Sequence, residues 1–184
     1  MHKRSLITSA LVFLLLICAT SYEYTTVDSI NKSSWSGNTG WADWQGDLTH
    51  GANFRPHVAS GFIWEANTGW INLGDGYPSA GIHYTNSSNT DFGVNVDPDG
   101  DPTYYLLSGY AWSPNLGWIS FDVAAQTGNT DRPKIDKVTG ILQGYAWSAN
   151  AGWLSLNSSP TAFVDTGLNL VSAANAVATW AQYD

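Results

Sequence analysis

The stretch Gly-Tyr-Ala-Trp-Ser-Pro-Asn-Leu-Gly-Trp-Ile-Ser-Phe, residues 109–121, decides the fold because most of it recurs along the chain. Its centre is a pair of tryptophans six positions apart with Asn and Gly between them. Eight of the ten tryptophans fall in such pairs, which begin 29, 48 and 35 residues apart. The copies span residues 35–44, 61–73, 109–121 and 144–156. Such repetition indicates an array of similar supersecondary units with insertions in the connections.

Each copy predicts a β-hairpin: an aromatic-rich strand, a five-residue loop with Asn and then Gly, and a strand rich in Ile, Leu and Phe. The Gly before the second Trp is expected to take a positive φ and close the turn. Residues 92–96 and 133–136 add a third strand to two copies. The copy at 35–44 continues with Ala42, Asp43 and Trp44 instead of an apolar strand, so its pattern gives no clear second strand.

These patterns predict an all-β protein in which antiparallel hairpins and three-stranded meanders form one compact sandwich or barrel. A small propeller-like arrangement is the alternative. The only helix that the sequence suggests lies in the Ala-rich segment 171–183, which ends without a clear cap. The way in which the repeats close, and the pairing of the strand-like segment 162–170 with the N-terminal copy, stay open.

The first 21 residues are typical of a secretory signal peptide. Lys3 and Arg4 precede an apolar run at 10–19, which is about half of the roughly 20 residues that a membrane-spanning helix needs. Cleavage is expected after Ala19 or Ser21, which would leave residues 22–184 as one β-repeat domain without a membrane span. A lipid anchor at Cys18 is the competing interpretation, and the bulky residue before this cysteine argues against it.

The charge balance limits the classes of partner. The chain carries 7 basic and 15 acidic residues, a formal net charge of -8. Removal of Lys3 and Arg4 with the signal leaves 5 basic residues against 15 acidic ones, a net charge of -10. Nucleic acids and anionic membrane surfaces require a basic footprint, so neither is an expected partner. Cys18 is the only cysteine, so packing rather than disulfides must stabilise the exported protein.

The motif at 109–121, repeated with little change at 144–156, resembles a repeat found in many exported and cell-surface proteins of bacteria. In that family the repeat recurs in tandem after an Ile-Asp-x-x-Thr-Gly hairpin, and residues 135–140 match this element. The family has no assigned biochemical activity. The resemblance therefore implies export, a bacterial source and a repeat architecture, and nothing about a ligand.

Strand alternation places the paired tryptophans and the aliphatic residues on opposite faces. Two uses of the aromatic face stay open: the rings could pack between repeats, or they could form an exposed platform for a sugar beside Ser, Asn and Asp. Under the second interpretation the candidate ligand-binding residues are Trp64, Trp70, Tyr110, Trp112, Trp118, Tyr145, Trp147 and Trp153.

Other groups of polar residues do not indicate catalysis, a metal or a cofactor. The acidic stretch 97–101 lacks the glutamate of a calcium loop and is predicted to be a solvated turn between two strands. His50, His57 and His83 are not spaced as zinc ligands and are expected at the surface or in turns. Glu65, which lies in a hairpin loop, is a weak candidate for a hydrolytic carboxylate.

The sequence therefore predicts a secreted or cell-surface module that is structural or binds glycan, with polysaccharide or envelope components as partners. It is not expected to be an enzyme. Self-assembly into an envelope layer or matrix, through strand edges and aromatic patches, is the alternative. A glycoside hydrolase is a third and less supported function.

Overall fold

A computed structural model describes residues 25–79, 81–157 and 162–169. The predicted signal peptide and the suggested helix at 171–183 lie outside these residues. Within them the chain forms β1 (Ser33–Ser36), β2 (Gly40–Asp43), β3 (Asn53–Phe54), β4 (Ala59–Ser60), β5 (Phe62–Glu65), β6 (Gly69–Asn72), β7 (Val94–Asp97), β8 (Tyr104–Ser113), β9 (Gly117–Ser120), α1 (Ala124–Asp131), β10 (Lys134–Asp136), β11 (Leu142–Gln143), β12 (Tyr145–Ser148) and β13 (Gly152–Ser155).

Eight of these strands form an antiparallel sheet in the order β1-β2-β5-β6-β8-β9-β12-β13. The strands pair as four hairpins, one for each copy of the motif, which we number 1 to 4 along the chain. The sheet curves until hairpin 4 meets hairpin 1. There the backbone amide of Ser155 donates to the Ser36 hydroxyl at 2.8 Å. The prediction of an all-β fold is confirmed, and the arrangement is a nearly closed barrel.

The loop asparagine of each hairpin reaches the loop of the preceding hairpin around the barrel. In three hairpins its side-chain amide donates to the carbonyl of the residue before the loop glycine: Asn38 to Ala151 at 2.6 Å, Asn115 to Thr68 at 2.8 Å and Asn150 to Leu116 at 3.2 Å. The amide of Asn67 packs against Gly40 at the fourth junction. The Asn of the motif therefore links neighbouring hairpins as well as forming the turn.

The loop glycines take the positive φ that the sequence predicts, with values of +69° to +84°. This conformation suits glycine because it has no Cβ. It lets the two tryptophans of each hairpin pair directly across the strands, and the residues beside them then point inward.

The barrel interior is filled by the side chains that alternate with the paired tryptophans. Three of its layers each take one residue from every hairpin, and all of these residues are at most 6% exposed: Ser34, Ile63, Ala111 and Ala146; Ala42, Ile71, Ile119 and Leu154; Trp44, Leu73, Phe121 and Leu156. A cavity between these layers is about 20 Å³, which is room for about one water molecule. The layers of the described chain therefore leave no space between them for a larger molecule.

Hairpin 1 corrects the expectation that the copy at 35–44 has no clear second strand. Residues 40–43 form β2, and the next residue, Trp44, is 2% exposed and fills the layer that Leu73 fills in hairpin 2. Its indole nitrogen donates to the Ser34 hydroxyl at 2.9 Å. The small Ser34 and Ala42 leave room for this large ring. In hairpin 1 the larger side chain in the layer of Trp44 thus compensates for smaller side chains in the other two layers.

The insertions carry the remaining elements. β7 pairs with β8, and β10 pairs with both β8 and β11, which confirms the meanders predicted from residues 92–96 and 133–136. The sequence did not predict α1, a short helical segment interrupted at Gly128. At the end of the described chain, Val164 bridges to Lys32 and Asp165 to Ile141, so this segment does lie beside the N-terminal copy.

Another glycine recurs in hairpins 2 to 4, three residues before the first Trp of each hairpin. Its backbone lies against the insertion before it. A Cβ on Gly144, which has a φ of +91°, would lie 2.2 Å from the carbonyl oxygen of Arg132. Gly81 has a similar φ of +87° and no atom within 4 Å of such a Cβ.

We predict that Gly144→Ala lowers the free energy of unfolding far more than Gly81→Ala. Both changes place an L-residue at positive φ, which costs about 1–2 kcal/mol. Only Gly144→Ala adds a steric clash with backbone, for which we expect at least about 2 kcal/mol more. Urea unfolding followed by far-ultraviolet circular dichroism measures the difference. Equal effects of the two substitutions would contradict the close packing of this insertion on the barrel.

Candidate ligand-binding surface

The paired tryptophans form a band around the outside of the barrel. In each hairpin they face each other in register, and the inward residues lie one position away. Their exposed fractions range from 39% to 53%, whereas Trp44 is buried. We call this band the tryptophan belt; its members are Trp35, Trp41, Trp64, Trp70, Trp112, Trp118, Trp147 and Trp153.

All eight residues that the sequence proposes as ligand contacts lie on this outer surface, since Tyr110 and Tyr145 are also about 40% exposed. The sequence interpretation missed Trp35 and Trp41 because their copy lacks the apolar strand that marks the others. It also missed Phe62, which occupies the position of Tyr110 on hairpin 2 and is 36% exposed.

Polar side chains alternate with the aromatic ones around the belt. The first Trp of a hairpin lies in register with the last strand residue of the preceding hairpin: Trp64 with Asp43, Trp112 with Asn72 and Trp147 with Ser120. Each of these indoles therefore stands between a second indole on one side and a carboxylate, amide or hydroxyl on the other. Such a surface offers an apolar contact on the indole and a hydrogen-bonding group on the neighbouring strand.

Edge-to-face contacts hold several of these rings. The ring centroids of Trp64 and Trp70 are 4.9 Å apart at an interplanar angle of 67°. Trp118 has two such neighbours, Phe92 at 5.0 Å and Tyr110 at 6.2 Å. Contacts of this kind add about 0.5–1.5 kcal/mol to the burial of the rings. They also fix the orientation of the indoles.

Two recesses open beside the belt at equivalent places on hairpins 2 and 3. The first, of about 280 Å³, is lined by Asp47, His50, Phe62 and Trp70. The second, of about 460 Å³, we call the hairpin 3 cleft; it is lined by Asn86, Ser87, Ser88, Asn89, Phe92, Tyr110 and Trp118. In each recess a preceding insertion supplies the polar wall and a hairpin supplies two aromatic residues, to which the insertion of the hairpin 3 cleft adds Phe92.

Asp91 anchors the loop that forms the polar wall of the hairpin 3 cleft. Its carboxylate accepts the Thr85 hydroxyl at 2.6 Å and the backbone amides of Thr85 and Ser79 at 3.1 and 3.0 Å. The hydroxyl of Thr85 and then the backbone amide of Ser79 lower the pKa of Asp91 from 3.8 to about 2. The anchor is therefore complete above about pH 4 and is lost as the pH falls through 2.

The acidic stretch 97–101 and Glu65, which the sequence also singles out, have structural roles. The stretch 97–101 joins β7 to β8 as predicted, and the ammonium group of Lys137 donates to the carbonyls of Pro98 and Asp101. Glu65 does not lie in a hairpin loop as the sequence predicted: it is the last residue of β5, is 3% exposed inside the barrel end, and accepts hydroxyl hydrogen bonds from Thr39 and Thr68.

Two of the three histidines in the described chain lie close together, although their spacing in the sequence does not indicate it. His57 and His83, 26 positions apart, meet with ring centroids 5.4 Å apart. Burial, and then the nearby His83, lower the pKa of His57. Within residues 25–79, 81–157 and 162–169, no group of three or more His, Cys, Asp or Glu residues is arranged to hold a metal ion. In the same part of the chain, no helix has the length and apolar character needed to cross a membrane.

No protein-family model matches this sequence, and no curated protein or solved structure shows significant similarity to it.

We predict that Trp118→Ala destabilises the protein less than Ile119→Ala, although tryptophan is the larger residue. Ile119 is 2% exposed inside the barrel, and its truncation should cost about 2–5 kcal/mol. Trp118 is 45% exposed, and its loss should cost about 1–2 kcal/mol, chiefly from the contacts with Phe92 and Tyr110. Thermal unfolding of the two variants compares them. The opposite order would mean that the indole belongs to the core.

Proposed function

We propose that this chain is an exported module that binds an uncharged glycan on its tryptophan belt, at the cell surface or in the extracellular medium. The observation that carries the proposal is the alternation of half-exposed indoles with Ser, Asn and Asp around a barrel whose interior is already full. The proposal assigns no catalytic role to the protein.

The indoles of the belt expose apolar surface to water, although other side chains form the core of the barrel. Soluble proteins seldom expose so many large aromatic side chains close together unless these side chains meet a partner. A sugar ring has an apolar face of C–H groups and a rim of hydroxyls. It therefore complements an indole flanked by side chains that donate and accept hydrogen bonds.

Charge favours a neutral glycan over an acidic one. The chain has a net charge of -8, and its mature form would carry -10. A polymer of uronic acids or sulfated sugars would be repelled by this field, whereas an uncharged polysaccharide would not. Export is supported by the character of residues 1–21 and by the resemblance to surface-protein repeats.

Affinity electrophoresis tests this function. In native gels that contain a soluble neutral polysaccharide (hydroxyethylcellulose, xyloglucan, galactomannan or a β-1,3-glucan), we expect at least one polymer to retard the protein. Polygalacturonate should not retard it, because both are anionic. The protein should be expressed with its native leader, so that its intact mass also reports cleavage after Ala19 or Ser21.

Two variants make the result specific to the belt. The double change Trp112→Ala and Trp118→Ala removes one aromatic pair and should abolish or strongly reduce the retardation. Val138→Ala removes an apolar side chain that is 75% exposed in a turn outside the belt, and it should leave the retardation unchanged. The absence of retardation in every neutral polymer would refute the glycan-binding proposal.

Self-assembly is the second candidate, and the same exposed belt favours it. If the belt covers a neighbouring copy instead of a sugar, the purified mature chain should form large particles in light scattering without any glycan. The double variant should then be monomeric. Aromatic contacts between the belts of neighbouring copies would be the means of association.

A further inference from the structure

Building on the proposed function, we infer that the hairpin 3 cleft is the principal subsite of the belt and holds one uncharged sugar residue, stacked on Trp118. This cleft differs from the rest of the belt in three respects: the rigidity of its aromatic wall, the chemistry of its polar wall and its lack of charge.

The aromatic wall is held in place before binding. Phe92 and Tyr110 both contact Trp118 edge to face, at interplanar angles of 83° and 74°. The indole is thus packed by its neighbours while 45% of its surface stays exposed. A ring that is already oriented loses little rotamer freedom when a ligand stacks on it, which favours binding.

The polar wall combines amides with hydroxyls. Asn86 accepts the backbone amide hydrogen of Gly93 at 3.0 Å, which fixes its side chain at the rim of the cleft. The hydroxyls of Ser87 and Ser88 are linked to Thr85 and Thr90 at 2.8 and 3.1 Å. Hydroxyls and amides both donate and accept hydrogen bonds, and sugar hydroxyls require partners of both kinds.

The side chain of Asn89 is exposed at the outer end of this wall. Because Asn86 and the two serines already have partners within the loop, Asn89 is the side chain best placed to turn toward a ligand. It is also a suitable residue to substitute, since its truncation removes no hydrogen bond that holds the loop together.

No ionisable acid or base lines the cleft, apart from the Tyr110 phenol. Its volume of about 460 Å³ lies within the roughly 300–1,000 Å³ that is usual for small-molecule sites. The recess on hairpin 2 is smaller and contains Asp47 and His50, whose side chains contact each other at 3.1 Å. An uncharged ring therefore fits the hairpin 3 cleft better than the hairpin 2 recess.

Isothermal titration calorimetry tests the subsite. The probes are neutral hexasaccharides (cellohexaose, laminarihexaose, mannohexaose and xylohexaose), with hexagalacturonate as the acidic comparison. For the hexasaccharide that binds, Trp118→Ala should weaken the affinity about tenfold or more, as is usual for an aromatic anchor. Asn89→Ala should weaken it by a few-fold through the loss of one hydrogen bond.

Trp153→Ala is the matched control. Trp153 occupies the same hairpin position as Trp118, is 43% exposed and lines neither recess. This variant should weaken the affinity clearly less than Trp118→Ala does, because it removes an indole of the belt that lies outside the subsite. Each variant is first checked for a native elution volume in size-exclusion chromatography and for cooperative thermal unfolding, so that a loss of folding is not taken for a loss of binding.

The outcomes separate the two proposals. If Trp153→Ala and Trp118→Ala weaken binding equally, or if a neutral polymer retards the protein while no hexasaccharide binds, the subsite is refuted and the belt proposal stands. Tighter binding of hexagalacturonate would refute the uncharged ligand. If no neutral glycan of either size binds, both proposals fail.

Discussion

Two tryptophans face each other directly across every hairpin, and the other features of the molecule depend on this register. A strand alternates its side chains between two faces, so a slip of one residue would exchange the inside and outside of the barrel. The glycine that begins the second strand fixes the register, because its positive φ closes a turn of three residues, where the sequence predicted a loop of five. Aliphatic residues beside the indoles then fill the interior, and the indoles themselves form the belt.

The hairpins are joined by contacts that use the same motif residues. The loop asparagines link each hairpin to the preceding one, and Asn38 does so between the two ends of the sheet. The interior layers take one residue per hairpin, so a change of volume in one copy can be compensated within that copy, as Trp44 does for Ala42. The insertions pack on the glycines that start the hairpins. The insertion before hairpin 3 also forms one wall of the hairpin 3 cleft.

Much of this could be predicted from the sequence because it follows from short-range rules. The hairpins, the positive φ of the loop glycines and the division of faces depend on residues within about ten positions of one another. The position of β2 could not be predicted, since it depends on Trp44 and Ser34 sharing space inside a closed barrel. The short helix around Gly128 gave no pattern, because glycine and polar residues are weak helix formers.

The candidate site was predicted only in part, because it depends on how segments far apart in the sequence come together. Alternation identified which aromatic residues share a face, and it left open whether that face is buried. Exposure was decided by the closure of the sheet, where Ser155 donates to Ser36, 119 positions away, and Asn38 donates to Ala151. The cleft needed the loop at 86–89 to lie beside Trp118, and nothing in the local sequence of either segment indicates that arrangement.

The central claim is that the paired tryptophans lie outside the barrel and that Trp44 lies inside it. Hydroxyl-radical footprinting, read by mass spectrometry of chymotryptic peptides, measures the oxidation rate of each indole separately in the native protein. The eight belt tryptophans should oxidise several times faster than Trp44, at rates below those of the unfolded chain because they are about half exposed, and Trp44 should be strongly protected. Protection of most of the belt to the level of Trp44 would contradict this account and return the paired rings to the core.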